Sequence, residues 1–270
     1  MLSICATPIG NLEDITLRVL DELRNADVVL CEDTRHTRLL LKRHGIRARL
    51  LSYHEHNEAQ RVAELVPRLV AGERIALVSD SGLPGISDPG ARLIAAALDA
   101  GVRVSVLPGA SAVETALVAS GLVGERYQFL GFLPRGDAQL AELWGELATW
   151  PFAAVAFESP QRLPKTLASL ARALPDRPAA VCRELTKRYE DVVRGSASEL
   201  AERFAAPAKG EIVLVLGAAE VVPDDDAALA AVAELVEAGV PRRRAADVVS
   251  GLTGVARNRL YGGSLSRKRL

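Results

Sequence analysis

Ser79-Asp80-Ser81-Gly82-Leu83-Pro84-Gly85-Ile86-Ser87-Asp88-Pro89-Gly90 is the stretch that decides the fold. It leaves the apolar run Ile75 to Val78 and enters a segment with apolar residues at helical spacing, Leu93, Ala97 and Leu98. Three glycines and two prolines make it a rigid strand-to-helix turn that brings backbone N–H and C=O groups close to a bound molecule. Asp88 is expected to cap the helix, with Pro89 at its first position. The spacing is neither GxGxxG nor GxxxxGK[ST], so the dinucleotide and P-loop readings lose support. A loop of this kind at the carboxyl end of a parallel strand lies where open α/β sheets bind ligands.

The same theme recurs on both sides. Thr7-Pro8-Ile9-Gly10-Asn11 ends one apolar run, and Leu107-Pro108-Gly109-Ala110-Ser111-Ala112 ends another. Strands are expected at Leu2 to Ala6, Val28 to Cys31, Arg49 to Ser52, Ile75 to Ser79 and Arg103 to Leu107. Helical periods lie between them, at Ile15, Val19, Leu20 and Leu23 and at Val62, Leu65, Val66 and Leu69. This alternation defines an α/β class with a mostly parallel sheet covered by helices. Three glycine-bearing turns at strand ends favour one binding crevice. The pattern loosens through Gly124-Glu125-Arg126, and strands resume at Tyr127 to Leu133, Phe152 to Phe157, Ala179 to Arg183 and Ile212 to Leu216. Three parts are therefore expected: an α/β domain over 1–121, a second over 122–222, and a helical basic segment over 223–270, with Pro223 to Asp226 supplying an N-cap and an acidic first turn.

The chain has 270 residues, 49% apolar and 25% charged, with a formal charge of -1, which argues against a disordered tail protein. The near-neutral average hides an asymmetry. Residues 242–270 carry eight basic side chains against the single acidic Asp247, or +7, leaving -8 for the rest. Cys5, Cys31 and Cys182 show no metal-ligand or redox spacing and read as buried reduced thiols. The N-terminus has no basic, then apolar, leader pattern, and no run approaches the ~20 apolar residues of a membrane span, so a cytoplasmic protein without a membrane partner is expected.

Several polar clusters sit at strand ends. Glu32 and Asp33 close the second strand, and Arg35, Arg38 and Lys42 then share one helix face. Six basic residues and no acidic one lie between Thr34 and Arg49, which suits either a solvated helix face or an RNA backbone. Tyr53-His54-Glu55-His56-Asn57-Glu58 invites a metal reading, but an HxH without a third matching ligand favours a polar, substrate-facing loop, and no metal is expected. Ser159 and Pro160 are expected to cap and begin a helix, and Arg183-Glu184-Leu185-Thr186-Lys187 follows a further strand. Both strand ends suit structural caps and ion pairs or a face on the crevice. No Ser/His/Asp or Cys/His hydrolase arrangement is legible.

Taken in order, Thr7 to Leu12, Glu32 to Arg35, Tyr53 to Glu58, Ser79 to Gly90, Leu107 to Ala112, Gly131-Phe132-Leu133-Pro134, Glu158-Ser159-Pro160 and Arg183 to Lys187 resemble one family. It is the ribosomal small-subunit methyltransferase I family, the 16S rRNA cytidine 2'-O-methyltransferases of the tetrapyrrole-methylase-like superfamily. The resemblance runs from residue 2 to about 217 and more weakly into the basic tail. It implies two α/β domains with S-adenosylmethionine in the cleft between them, a homodimer, and 16S rRNA of the small subunit, in its decoding region, as partner. Carried over by motif, the cofactor lies against Pro8, Gly10, Asp80, Gly82, Leu83, Pro84, Ile86, Ser87, Gly109, Ser111, Ala112, Phe132, Leu133, Ser159 and Pro160. Ser81-Gly82-Leu83-Pro84 departs from the family's usual Ala-Gly-Thr-Pro, so a threonine hydroxyl contact is absent while backbone contacts survive. Candidates for the general base are Glu32, Asp33, His54, Glu55 and Asp88, of which Glu32 and Asp33 are also natural partners for Arg35 or helix caps. RNA contacts are expected from Arg35, Arg38, Lys42, Arg242, Arg243, Arg244, Arg267, Lys268 and Arg269. A tetrapyrrole C-methyltransferase and a non-enzymatic ribosome-assembly factor remain as alternatives.

Overall fold

The computed structural model describes residues 1–86, 88–220 and 225–266. Two compact units divide the chain, Met1–Ala219 and Glu220–Leu270. The first unit contains two five-stranded sheets.

All five strands expected in the first half form: β1 (Leu2–Cys5), β2 (Val28–Cys31), β3 (Leu50–Ser52), β4 (Ile75–Val78) and β5 (Val104–Leu107). They pair in parallel in the order β3-β2-β4-β1-β5. Between them run α1 (Leu17–Asn25), α2 (Thr34–Arg43), α3 (Glu58–Val70) and α4 (Ala91–Asp99), and α5 (Ala112–Ser120) follows β5. Cys5, Val29, Cys31, Ala76 and Val78 pack with Val19, Leu23, Leu40 and Leu41 on one face, and Ile4, Leu30, Ile75 and Leu77 pack with Leu65, Leu69, Leu93 and Ala97 on the other. Burial on both faces explains why the central strands β1, β2 and β4 read as largely apolar runs.

Strand order locates the crevice. From β1 the chain crosses toward the β3 edge to reach β2, whereas from adjacent β4 it crosses toward the opposite edge to reach β5. Loops that leave neighbouring strand ends in opposite directions open a gap between them, the usual ligand position in such sheets. Thr7 and Gly82 bridge that gap through paired backbone hydrogen bonds of 2.8 and 3.2 Å.

The second sheet is mixed. It contains β6 (Tyr127–Phe132), β7 (Ala153–Glu158), β8 (Pro178–Arg183), β9 (Asp191–Ser196) and β10 (Ile212–Leu216), in the order β6-β7-β10-β8-β9. The helices α6 (Asp137–Leu147), α7 (Leu163–Ala173) and α8 (Ala197–Arg203) cover one face. The other face is covered by α5, whose Ala116 and Leu117 pack on Val155, Ala180, Cys182 and Val213. β9 lies outside the strands expected from the sequence. Only Val193 of β9 is buried, so an edge strand of this composition leaves no apolar run to read.

Two helix starts differ from expectation. Asp88 does not cap α4; Gly90 does, at φ 142°, where a Cβ would lie 2.8 Å from Leu77. A glycine in that conformation fixes the start at Ala91. Likewise Ser159 and Pro160 do not begin α7. Its first residue is Leu163, because the Ser159 carbonyl accepts from the N–H groups of Arg162 and Leu163 at 3.0 Å and closes a turn first.

The second unit is helical: α9 (Asp225–Glu237), α10 (Arg242–Thr253) and α11 (Arg257–Ser266) share a core of Ala228, Val232, Ala245, Ala246, Val249, Val255 and Leu260. Asp225 and Asp226 form the expected acidic first turn. Pro223 and Asp224, expected at the cap, lie outside the described residues. Among the described residues no helix is long and apolar enough to cross a membrane. All three cysteines are free and buried.

Candidate active site

The carboxyl edge of the first sheet collects the strand-end motifs. Thr7 and Pro8 follow β1, Glu32 and Asp33 follow β2, His54 follows β3, and Ser79 and Asp80 follow β4. Thr7, Pro8, Leu12, His36, Thr37, Leu40, Ser79 and Asp80 line one concavity there. Its floor is built from backbone. The Thr7 hydroxyl donates to the Ser79 carbonyl at 3.1 Å, and the Ser79 hydroxyl donates to the Gly82 carbonyl at 3.0 Å, so the start of the 79–90 loop is held against β1.

The five candidate bases separate by environment. Asp33 caps α2, accepts the Arg35 N–H at 2.8 Å and pairs with its guanidinium at 2.7 Å. Those bonds hold the Asp33 carboxyl well below the usual carboxylate range, which makes it a poor proton acceptor. Glu32 and Asp88 shift the opposite way. Partial burial pushes both up, and the neighbouring Asp80 carboxylate adds to it in each case. Glu32 also feels Asp88, against a lowering influence from His54, so these four side chains share one electrostatic site. His54 Nε2 lies 3.2 Å from Asn57 Nδ2, while its buried Nδ1 has no hydrogen-bond partner. Glu55 is exposed on the turn before α3. His36 Nδ1, one turn into α2, stands 4.0 Å from Asp80. Among the described residues no group of three or more His, Cys, Asp or Glu is arranged to hold a metal ion.

The residues expected to hold a cofactor fall into three groups. Pro8 and Asp80 line the concavity above, and Phe132, Leu133 and Ser159 line a second one with Arg135 and Arg162. Ile86 and Phe132 are 68% and 64% exposed, apolar surface left uncovered at these loops. Gly82 and Pro84 are buried, Leu83, Ser111, Ala112 and Pro160 are half-buried, and Ser87 lies outside the described residues. Two glycines serve packing within the chain. A Cβ on Gly10 would come 2.5 Å from Lys187, and one on Gly109 would come 2.8 Å from Ala6.

Three supports escaped the sequence reading. Glu58 opens α3, and its Oε1 accepts the Tyr53 hydroxyl at 2.8 Å and the Gly90 N–H at 3.2 Å, so it pins the far end of the 79–90 loop. Glu58 stood inside a recognised motif, but its role depends on a glycine 32 residues away. Buried Glu158 pairs with Arg162, whose guanidinium also donates to the Leu133 carbonyl at 3.1 Å. Thr186 accepts the Asn11 N–H at 3.0 Å and joins the two sheets' loops.

Residues 1–201 match the family described as Tetrapyrrole (Corrin/Porphyrin) Methylases. A protein of Mesorhizobium japonicum named ribosomal RNA small subunit methyltransferase I is 44% identical over 263 residues, 96% of this chain and 90% of that one. This chain belongs to the ribosomal RNA small subunit methyltransferase I family. A member from Streptococcus pyogenes serotype M1 is 39% identical over 268 residues, covering 96% of this chain and 93% of its own. Solved structures share the fold: diphthine synthase, with a TM-score of 0.62 at 16% identity over 80% of this chain and 89% of that one, and Thermus thermophilus uroporphyrin-III C-methyl transferase complexed with S-adenosyl homocysteine, with a TM-score of 0.57 at 19% identity over 80% and 96%.

In this family member the basic residues stand as follows. Arg35, Arg38 and Lys42 are exposed on α2, and Arg38 and Lys42 enter no ion pair among the described residues. In the second unit the charge is partly spent internally: Arg257 pairs with Asp247, Arg259 pairs with Asp225, and Arg242 donates to the Ser264 carbonyl. Arg243 and Arg244 are exposed. Arg267, Lys268 and Arg269 lie outside the described residues.

Proposed function

We propose that the protein transfers a methyl group from S-adenosylmethionine to the 2'-hydroxyl of a cytidine ribose in the decoding region of 16S rRNA in the small ribosomal subunit. The observation that carries this reading is the grouping of Glu32, Asp80, Asp88 and His54 at the switch point of the parallel sheet, beside the exposed basic face of α2. Family membership supplies the substrate class, and the local chemistry agrees with it.

The residues present fit the cofactor. A crevice bounded by carboxylates suits a sulfonium cation, and uncovered Ile86 and Phe132 suit an adenine face. Pro8, Asp80, Gly82 and Leu83 would hold it on one side, with Phe132, Leu133 and Ser159 on the other. The bound cofactor supplies an electrophilic methyl that carries its own leaving group. The protein's task is then to hold the ribose hydroxyl in line and accept its proton. Glu32 or Asp88 accepts that proton, since each holds a proton more readily than an ordinary carboxylate. Asp33, neutralised by Arg35, shapes the start of α2 instead.

The two sheets act in this reading as two domains, 1–121 and 122–222, that share the cofactor, with 223–270 as an RNA-facing segment. A cytoplasmic homodimer completes it, and sedimentation equilibrium showing a monomer at working concentration removes the dimer. The central test offers labelled S-adenosylmethionine with small subunits, free 16S rRNA and a porphyrinogen in turn. Label on a cytidine 2'-oxygen in small-subunit RNA is expected. Label in the porphyrinogen overturns the substrate, and no label anywhere overturns catalysis.

A further inference from the structure

The hairpin joining β8 to β9 is built under strain. Glu184 and Thr186 adopt φ of 52° and 63°, although neither is glycine. Backbone of this kind persists only where the surroundings over-determine it, and it is a pointer to function. The surroundings are visible here. The Glu184 carboxylate accepts from Lys187 Nζ and from the Glu211 N–H, both at 2.9 Å. The Thr186 N–H donates to Glu190 at 2.6 Å, and its hydroxyl oxygen accepts the Asn11 N–H at 3.0 Å. Gly10 supplies the space, since a Cβ there would lie 2.7 Å from Thr186 Oγ1. The hairpin is thus bolted to the segment after β1 whose neighbours Thr7, Pro8 and Leu12 line the concavity beside Asp80.

What this rigid hairpin presents is a cation and an aromatic ring. Tyr189 is 67% exposed, and the Arg188 guanidinium lies 5.6 Å from its ring centroid. Lys187 is consumed by Glu184 and Glu211, whereas Arg188 enters no ion pair among the described residues. With the cation on one side, the rest of the ring is available to a second flat group. An unpaired nucleotide supplies both partners such a pair lacks, a base to stack and a phosphate to neutralise the charge. We propose that Arg188 and Tyr189 form a subsite for single-stranded RNA, in which Tyr189 stacks on a base flanking the reacting nucleotide and Arg188 meets its phosphate.

This subsite rests on the reading of the protein as an RNA methyltransferase, and its test separates the two. In the full chain, Tyr189→Ala should raise the KM for small subunits about tenfold. Its kcat and its S-adenosylhomocysteine affinity by calorimetry should stay at the wild-type level. Tyr189→Phe should restore the KM, because stacking needs the ring and not the hydroxyl. Arg188→Ala should lower the salt slope of binding by about one. In Tyr189→Trp, binding of a single-stranded oligoribonucleotide should quench fluorescence beyond the change seen with Trp144 and Trp150 alone. An unchanged KM in a folded Tyr189→Ala protein, or failure of Tyr189→Phe to restore it, overturns the subsite. Weaker binding of small subunits with undiminished oligoribonucleotide binding also overturns it, since the contact is then with protein. If the wild type methylates no RNA, the parent reading fails, and the oligoribonucleotide titration still decides the subsite.

Discussion

In the proposed site, Asp88 sets local chemistry against stability. Its carboxyl is raised chiefly by burial, which a lowering influence from Ser79 only partly offsets, and the Asp80 carboxylate adds a smaller push upward. A carboxyl whose folded-state value lies above its unfolded value favours the fold while protonated, and that contribution is lost as pH rises through the folded value. Asp88→Asn should therefore raise the thermal midpoint at neutral pH, with the gain vanishing below about pH 4, where the ordinary carboxyl is also protonated. Parallel melts at the two pH values check this, and an equal shift at both contradicts it. Wild-type methyl transfer should fall as pH drops through the raised values of Glu32 and Asp88. Glu58 is the opposite case, a carboxylate whose acceptor oxygen is fully used. Glu58→Ala strands the buried Tyr53 hydroxyl and the Gly90 N–H and should cost about 2 kcal/mol in urea unfolding, whereas Glu58→Gln keeps the acceptor and should cost less than half of that.

Among the elements, α2 is the one whose two faces divide labour most clearly. Thr37, Leu40 and Leu41 are buried against the first sheet, leaving Arg35, Arg38 and Lys42 outward. Arg35 is tied to Asp33, so Arg38 and Lys42 are the charges available to a phosphate backbone. Replacing both by Ala should reduce the slope of log affinity against log salt for small subunits by roughly 1.5, with little change in thermal midpoint because both are exposed. Titrations at several salt concentrations measure it, and an unchanged slope removes α2 from the RNA surface. Helix periodicity made this face legible in advance. The sequence also offered Asp33 as a partner for Arg35 or as a helix cap, and the side-chain geometry makes it both at once.

At the scale of the whole first unit, α5 is joined in sequence to the first sheet and buried against the second. Leu117 is 2% exposed within the core it shares with Val155, Ala180 and Val215. Leu117→Ala should cost about 3 kcal/mol by cavity formation. It should move the unfolding of both sheets together, as read by circular dichroism and by Trp144 and Trp150 fluorescence, and a shift in only one signal contradicts this coupling. The sequence by itself determined the strands of the first sheet, because the central ones are buried on both faces and must be largely apolar, and it determined the strand-end loops, because glycine and proline there answer to local backbone geometry. The alternation of those elements was enough for the α/β class, and the ordered motifs were enough for the family. Only the tertiary structure decided that Gly90 rather than Asp88 starts α4, that β9 exists, that Gly10 makes room for the 184–187 hairpin, and that burial together with Asp80 pushes the Glu32 and Asp88 carboxyls up. Those outcomes depend on burial and on partners distant in the chain, and neither is encoded in the local spacing of residues.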